Sequence, residues 1–183
     1  MKKYQVVSLV MAACFVLGGV AYAQLAKEDV AVHKSCMYCG MDRGTYDFSR
    51  MMIEYDDGTT LPFCSIHCAA VDLANKIDKA PKAIKVGDFN SKNLIDAEKA
   101  FWVVGGSKQG VMSKRGKWAF ENKSDAENFI KVNQGSLATF EDTMKMAYED
   151  MYDDTRAIRE RRKMKRMKMM MEQKSSSPSG APM

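Results

Sequence analysis

Residues 33–68 read HKSCMYCGMDRGTYDFSRMMIEYDDGTTLPFCSIHC. They hold four of the chain's five cysteines, as C-x2-C and, 24 residues later, C-x3-C. Between the pairs, MMIEYDDGTTLPFCS has two apolar runs around an Asp-Asp-Gly turn, which predicts a β-hairpin. The following SIHCAAVDLANKI has helical spacing, with Ser65 as its N-cap. We therefore expect Cys64 to close a strand and Cys68 to lie in the first turn of a helix.

The two cysteine pairs predict one metal centre. Both sulfurs of a pair spaced this closely can face the same point, and Gly40 permits a sharp turn after Cys39. The hairpin would then bring four thiolates to tetrahedral spacing in a treble-clef-like site. The predicted ligands are Cys36, Cys39, Cys64 and Cys68.

The identity of the metal stays open between Zn(II) and Cu(I). Four thiolates alone suit Zn(II) in a structural or sensory module. Met41, two residues after Cys39, adds a thioether, and soft thiolate and thioether ligands together favour Cu(I). An exported Cu(I) carrier, which needs exchangeable ligands, is our leading interpretation.

Two other uses of the cysteines stay open. In an oxidising compartment the four could form two disulfides. C-x-x-C also occurs in thiol-disulfide oxidoreductases, although the strand-to-helix setting that activates such a thiol does not surround Cys36. With two histidines, no Ser/His/Asp set and no carboxylate pair that stands out, the sequence favours a binding protein over an enzyme.

The N-terminus is typical of a cleaved secretory signal. Residues 1–23 combine Lys2 and Lys3, the apolar VVSLVMAACFVLGGV, and a small-x-small site that ends at Ala23. This predicts a periplasmic protein whose mature chain begins at Gln24. Cys14 lies in the middle of the apolar run, so it is only a weak lipid-attachment candidate.

The rest of the chain predicts an α+β fold. AIKVGDF and AFWVVGG have strand composition, and Ser124-x-x-Glu127 predicts a capping box for a helix that Gly135 ends. Two related strand-strand-helix lobes, about 36–78 and 99–135, would be followed by a long C-terminal helix. That helix would either project into solvent or dock through an apolar stripe of Phe140, Met144, Tyr148 and Met151.

Charge divides the mature chain into two parts. Residues 24–155 hold 17 basic and 21 acidic residues, whereas the methionine-rich tail, residues 156–183, holds nine basic and two acidic ones. A tail with a net charge of +7 predicts contact with anionic lipid or an acidic partner, and we expect no nucleic-acid binding outside the cytoplasm.

Two motifs suggest a family. CMYCGM with DGTTLPFCSIHC resembles the TRASH and YHS metal-binding treble clefs, and LIDAEKAFWVVGGSKQGVMSKRGKWAFENKSDAENFIKVNQG is similar to the second half of the NosL family, the copper-binding accessory proteins of nitrous oxide reductase assembly. The resemblance implies a periplasmic Cu(I) chaperone that serves a client copper enzyme or copper transporter. It also implies two lobes similar to the organomercurial lyase core, in a domain over residues 24–155. Activity on metal-carbon bonds would rest on that fold analogy alone.

The resemblance also names ligands. Cys39 and Met41 match the family's C-G-M, and Met112 matches the methionine of its glycine-rich turn. Three features depart from the family pattern: Cys14 is only a weak candidate for the family's lipid-bearing cysteine, Cys64 and Cys68 are additional, and the basic tail is not part of the shared pattern.

Overall fold

The computed structural model describes residues 28–176, so the predicted signal (1–23), Cys14 and the end of the tail (177–183) lie outside the described residues. Within residues 28–176, four helices and seven strands form an α+β fold, as predicted. In chain order these are α1 (Glu28–Val32), β1 (Met51–Tyr55), β2 (Thr60–Phe63), α2 (Ile66–Asn75), β3 (Pro81–Gly87), β4 (Leu94–Asp96), β5 (Phe101–Val104), β6 (Lys117–Phe120), α3 (Lys123–Asn133), β7 (Ser136–Ala138) and α4 (Phe140–Ser176).

The first sheet contains the predicted hairpin. It is antiparallel with the strand order β2-β1-β3-β4, and Met51 lies opposite Phe63 while Ile53 lies opposite Leu61. The Asp-Asp-Gly turn places Gly58 at φ +80°, a conformation in which a side chain is strained. Helix α2 follows β2 directly, with Ser65 as its N-cap residue in extended backbone, although the Ser65 side chain makes no capping hydrogen bond.

The second sheet has the order β6-β5-β7 and carries α3. An aromatic cluster fills the space beside it, with ring centroids 4.9–6.4 Å apart among Phe48, Phe89, Trp118, Phe120 and Phe129. The two sheets are joined where Phe89 N–H donates to Ala119 O at 2.8 Å. Each predicted lobe range contains a strand-strand-helix unit, namely β1-β2-α2 and β5-β6-α3; their origin by duplication stays a prediction.

The predicted capping box of α3 was wrong. Helix α3 begins at Lys123 with Asn122 as its N-cap, so Ser124 lies inside the helix and cannot form a capping box; Glu127 instead approaches Lys123 at 3.5 Å. Asn122 and Ser124 are both good N-cap types, and the chain uses the earlier one. Gly135 follows the helix end at positive φ, as expected.

The first part of helix α4 packs against the core, and its second part is exposed to solvent. Phe140, Met144 and Ala147 are buried against the core, and Met151 packs partly against it, whereas the predicted fourth contact, Tyr148, is 42% exposed. The helix has 37 residues and is therefore about 55 Å long. Between residues 28 and 176, no helix combines the length and apolarity needed to cross a bilayer.

Candidate metal centre

The first cysteine pair lies in a tight backbone knuckle. Gly40 N–H donates to Cys36 O, and Cys36 N–H donates to Met41 O, both at 2.9 Å. Gly40 has φ +73°, and no atom lies within 4 Å of where its Cβ would be, so glycine is needed for the conformation rather than for space. Met37 N–H donates to Pro62 O at 3.0 Å, which joins the knuckle to β2.

The second pair is positioned by regular structure. Cys64 follows the last residue of β2, and Cys68 is the third residue of α2, so the strand-to-helix junction turns both sulfurs toward the knuckle. Ser49 Oγ donates to Cys64 O at 2.9 Å. The prediction that one cysteine ends a strand and the other begins a helix is confirmed.

The four sulfurs form a compact cage. All four Sγ atoms lie within 4.8 Å of one another, and Cys64 Sγ is 3.4 Å from Cys39 Sγ and 3.7 Å from Cys68 Sγ. Four sulfurs bound to one metal ion at ~2.3 Å are about 3.8 Å apart, so the cage has the size of a tetrahedral thiolate site. All four cysteines are free thiols in this structure, which does not contain the two disulfides of the alternative interpretation.

Thiol acidity differs across the cage. Hydrogen bonds with Cys39, Cys64 and Cys68 hold the pKa of Cys36 far below its usual value. The pKa of Cys39 is about 7, because hydrogen bonds from Cys64 and Cys68 outweigh the opposing effect of Cys36. Hydrogen bonding to Cys36 and Cys39, together with burial, raises the pKa values of Cys64 and Cys68. Without a cation the cage therefore retains thiol protons that a bound metal ion would displace.

A carboxylate that sequence reasoning missed connects the two cysteine pairs. Tyr38, inside the knuckle, donates its hydroxyl to Asp72 Oδ1 at 2.8 Å, and Tyr55 donates to Asp72 Oδ2 at 2.5 Å. Asp72 lies one helical turn after Cys68, and Lys76 also pairs with it. Burial opposes ionisation of Asp72, but these three hydrogen bonds hold its pKa below the ordinary value. The i, i+4 spacing of Cys68 and Asp72 indicates only that the two share a face of α2, and it gives no signal for the contact with Tyr38.

A second buried network of hydrogen bonds holds the backbone beside Cys64. Arg43, whose side chain is fully buried, donates to Phe63 O at 3.2 Å and to Asp29 Oδ2 at 2.7 Å. Arg50 donates from Nε and Nη2 to the two oxygens of Asp29 at 2.9 and 2.8 Å. Burial opposes ionisation of Asp29, yet the two guanidinium groups hold its pKa below the ordinary value. Helix α1 is thereby fixed to the residue that precedes Cys64.

The two methionines carried over from the family lie in one cleft. Met41 and Met112 both line a cleft of about 420 Å³, together with Phe48 and, from α4, Arg161. Met112 has φ +61°. A left-handed conformation costs a non-glycine residue about 1–2 kcal/mol and is concentrated at functional sites. The structure thus brings the four cysteines into one cage and the two methionines into one cleft, with Cys39 two residues from Met41.

His67 belongs to the contact between α2 and α4. It is buried beside Cys68, and its Nδ1 lies 3.6 Å from Asp154 Oδ2 on α4. Burial lowers the pKa of His67, in spite of the opposing attraction of Asp154. Lys117, which is also buried, pairs with Asp150 at 2.7 Å on the same helix. The Lys117–Asp150 ion pair therefore fixes α4 to β6, whereas His67 and Asp154 face each other between α2 and α4 without a hydrogen bond.

Comparison with known proteins identified a family and a similar solved structure. Residues 27–148 match the model of the NosL family. A solved structure, the copper chaperone NosL from Shewanella denitrificans, is 26% identical with a TM-score of 0.49; the match covers 60% of this chain and 88% of that one. No curated protein matched significantly.

Proposed function

The chain belongs to the NosL family, and from that premise we propose that it is a non-enzymatic carrier of Cu(I) that passes the ion to a client copper protein. The observation that carries this proposal is the cage of four free thiols whose sulfurs lie within 4.8 Å of one another. Soft sulfur donors hold a soft monovalent ion more strongly than they hold hard cations. The size of the cage and the chemistry of its donors both fit such an ion.

In this proposal the site has a buried part and an accessible part. Cys36, Cys64 and Cys68 are buried, whereas Cys39 is partly exposed and lies two residues from Met41. We propose all four cysteines as ligands, with the thioethers of Met41 and Met112 as weaker ligands at the accessible side. Thioethers bind Cu(I) without a proton to lose, so they suit the step in which the ion enters or leaves.

A competition experiment tests the proposal. The reduced, metal-free protein is titrated with Cu(I) against a chromophoric Cu(I) chelator, beside the variants Cys39→Ser, Met41→Leu and Met112→Leu. We expect one tightly bound Cu(I), with affinity reduced by at least about tenfold in each variant, which corresponds to about 1.4 kcal/mol. Unfolding curves should show that all three variants remain folded.

Met37→Leu is the matched control, because Met37 lies in the same knuckle but is 59% exposed and does not line the cleft. Its affinity for Cu(I) should equal that of the wild type. If Met41→Leu and Met112→Leu behave like this control, the methionines are not ligands. If Cys39→Ser also retains full affinity, the Cu(I) proposal as a whole is wrong.

The closed form of the cage favours one second candidate, a structural Zn(II) site. Three of the four thiols are 3% exposed or less, which is typical of structural zinc sites in which no coordination position is open to exchange. Metal analysis distinguishes the two functions. Zinc that stays bound during purification and resists replacement by Cu(I) supports the structural site, whereas replacement by one Cu(I) supports the carrier.

We also propose export to the periplasm and delivery to a copper enzyme or copper transporter, with nitrous oxide reductase assembly as the family's own example. The signal-like sequence of residues 1–23 supports export. Mass spectrometry of the protein from the periplasmic fraction tests it, because cleavage at the predicted site leaves Gln24 as the first residue. An uncleaved or cytoplasmic chain would contradict it.

A further inference from the structure

The tail beyond the docked part of α4 is an exposed helix of unusual composition. From Arg156 to Lys174 it holds nine basic and two acidic residues, and every residue from Arg161 to Ser175 is exposed. The NosL match ends at residue 148, before this segment begins. Neither the cage nor the cleft needs these residues, with the exception of Arg161 at the edge of the cleft.

Three methionines form a stripe along one face of this helix. At 3.6 residues per turn, Met164, Met167 and Met171 fall within an arc of about 60°. They are 58%, 44% and 70% exposed. Lys163 and Lys168 lie about 70° to either side of the stripe. The result is an apolar strip bordered by cations, although α4 as a whole is strongly polar.

The stripe points away from the folded domain. Phe140, Met144 and Ala147 define the docked face of α4, and the methionine stripe lies about 150° around the helix from that face. The helix continues to Ser176 without glycine or proline, so this relation holds along its length. A flat surface could therefore contact the stripe without meeting the domain.

We propose that the methionine stripe and its bordering lysines dock on the surface of an anionic phospholipid bilayer. A helix with an apolar strip and a Lys/Arg-rich polar face lies in the plane of the interface, with the strip among the acyl chains and the cations at the headgroups. Each basic residue close to such a surface strengthens binding by about fivefold. Charge complementarity favours this occupant over Cu(I), which the surrounding lysines would repel.

Vesicle co-sedimentation of the purified protein tests the proposal. We expect binding to vesicles that contain phosphatidylglycerol, little binding to vesicles of phosphatidylcholine alone, and loss of binding in high salt because the charges are screened. The combined variant Lys163→Gln, Lys168→Gln, which removes the two cations that border the stripe, should bind at least about tenfold more weakly. All variants share the same N-terminus, so the differences report on the tail.

The apolar contribution has a matched control within the tail. Met164→Ser, Met167→Ser and Met171→Ser together should weaken binding by at least about tenfold. Met169→Ser should have little effect, because Met169 lies on the opposite side of the helix. All variants should keep the Cu(I) affinity of the cage, so failure of the copper proposal would leave this result unchanged.

Three results would overturn the lipid assignment. Equally weak binding of the wild-type protein to phosphatidylglycerol and to phosphatidylcholine vesicles would mean that the tail meets a partner other than lipid, such as an acidic protein. Concentration-dependent dimerisation that the stripe variant abolishes would make the stripe a helix-pairing surface. Loss of bound Cu(I) from the stripe variant would make it a metal site.

Discussion

Replacement of Asp29 by asparagine should destabilise the protein far more than its place in a five-residue helix suggests. Asp29 accepts hydrogen bonds from two guanidinium groups, those of Arg43 and Arg50, whose side chains are 0% and 1% exposed. Asparagine keeps the shape but removes the charge, which leaves both cations buried opposite a neutral amide. Removing one partner of a buried pair costs about 3–5 kcal/mol, and we expect a loss in that range.

The loss should depend on pH with a definite sign. The pKa of Asp29 is lowered in the folded protein, so its contribution is fully present above the unfolded-state pKa of about 3.9 and disappears as pH falls through the lower folded-state pKa. The difference between wild type and Asp29→Asn should therefore be largest at neutral pH and shrink below about pH 4. A protonated aspartate and an asparagine are nearly equivalent to the two guanidiniums.

Urea unfolding at a series of pH values measures this difference. Glu28→Gln is the control, because Glu28 is the exposed neighbour of Asp29 in α1 and should change the free energy of unfolding by no more than about 0.5 kcal/mol. Since Arg43 also bonds to Phe63 O beside Cys64, Asp29→Asn should weaken metal binding too. A loss under about 1 kcal/mol at neutral pH, or one that persists in acid, would refute the assigned role of the network.

Three further predictions concern the cage. Tyr38→Phe keeps the stacking on Phe63 but removes the hydrogen bond to Asp72. Release of the metal, measured by stopped flow, should become several-fold faster, and the free energy of unfolding should fall by about 1 kcal/mol. The control Tyr46→Phe, which removes no hydrogen bond to Asp72, should change neither quantity. Gly40 and Gly58 lie at φ +73° and +80° with open space around each, so Gly40→Ala and Gly58→Ala should each lower the free energy of unfolding by about 1 kcal/mol. Only Gly40→Ala should also reduce metal affinity. Equal metal affinity in the two variants would mean that the conformation of the knuckle does not matter for metal binding. Protein with free metal at a thousand times Kd should be more stable than the metal-free protein by about 4 kcal/mol, measured as a shift of the thermal unfolding midpoint. Cys68→Ser should show no such shift.

The sequence was informative where local chemistry decides the structure. The apolar runs of β1 and β2, the Asp-Asp-Gly turn and Ser65 before α2 each determine conformation within a few residues, and all are present in the structure. Because the hairpin folds back on itself, the two cysteine pairs had to meet. The sulfur cage could therefore be predicted from spacing alone.

The supporting contacts could not be predicted in this way, because they join residues far apart in the chain. Tyr38 and Asp72 are 34 positions apart, and Asp29 and Arg50 are 21 apart. A buried arginine has no local sequence pattern, and it becomes visible only when the surrounding elements are in place. The capping box failed for a different reason: Asn122 and Ser124 are both good N-caps, and the sequence does not rank them.

The unequal exposure of the four thiols has a kinetic consequence. Cys36, Cys64 and Cys68 are enclosed, so in the proposed carrier an incoming protein would reach a bound ion only at the edge formed by Cys39. The protein that loads the proposed carrier and the client that receives the ion must then bind at this same edge, one after the other. Transfer of the ion should then follow ping-pong kinetics. An excess of the loading protein should inhibit delivery, because it competes with the client for one binding surface.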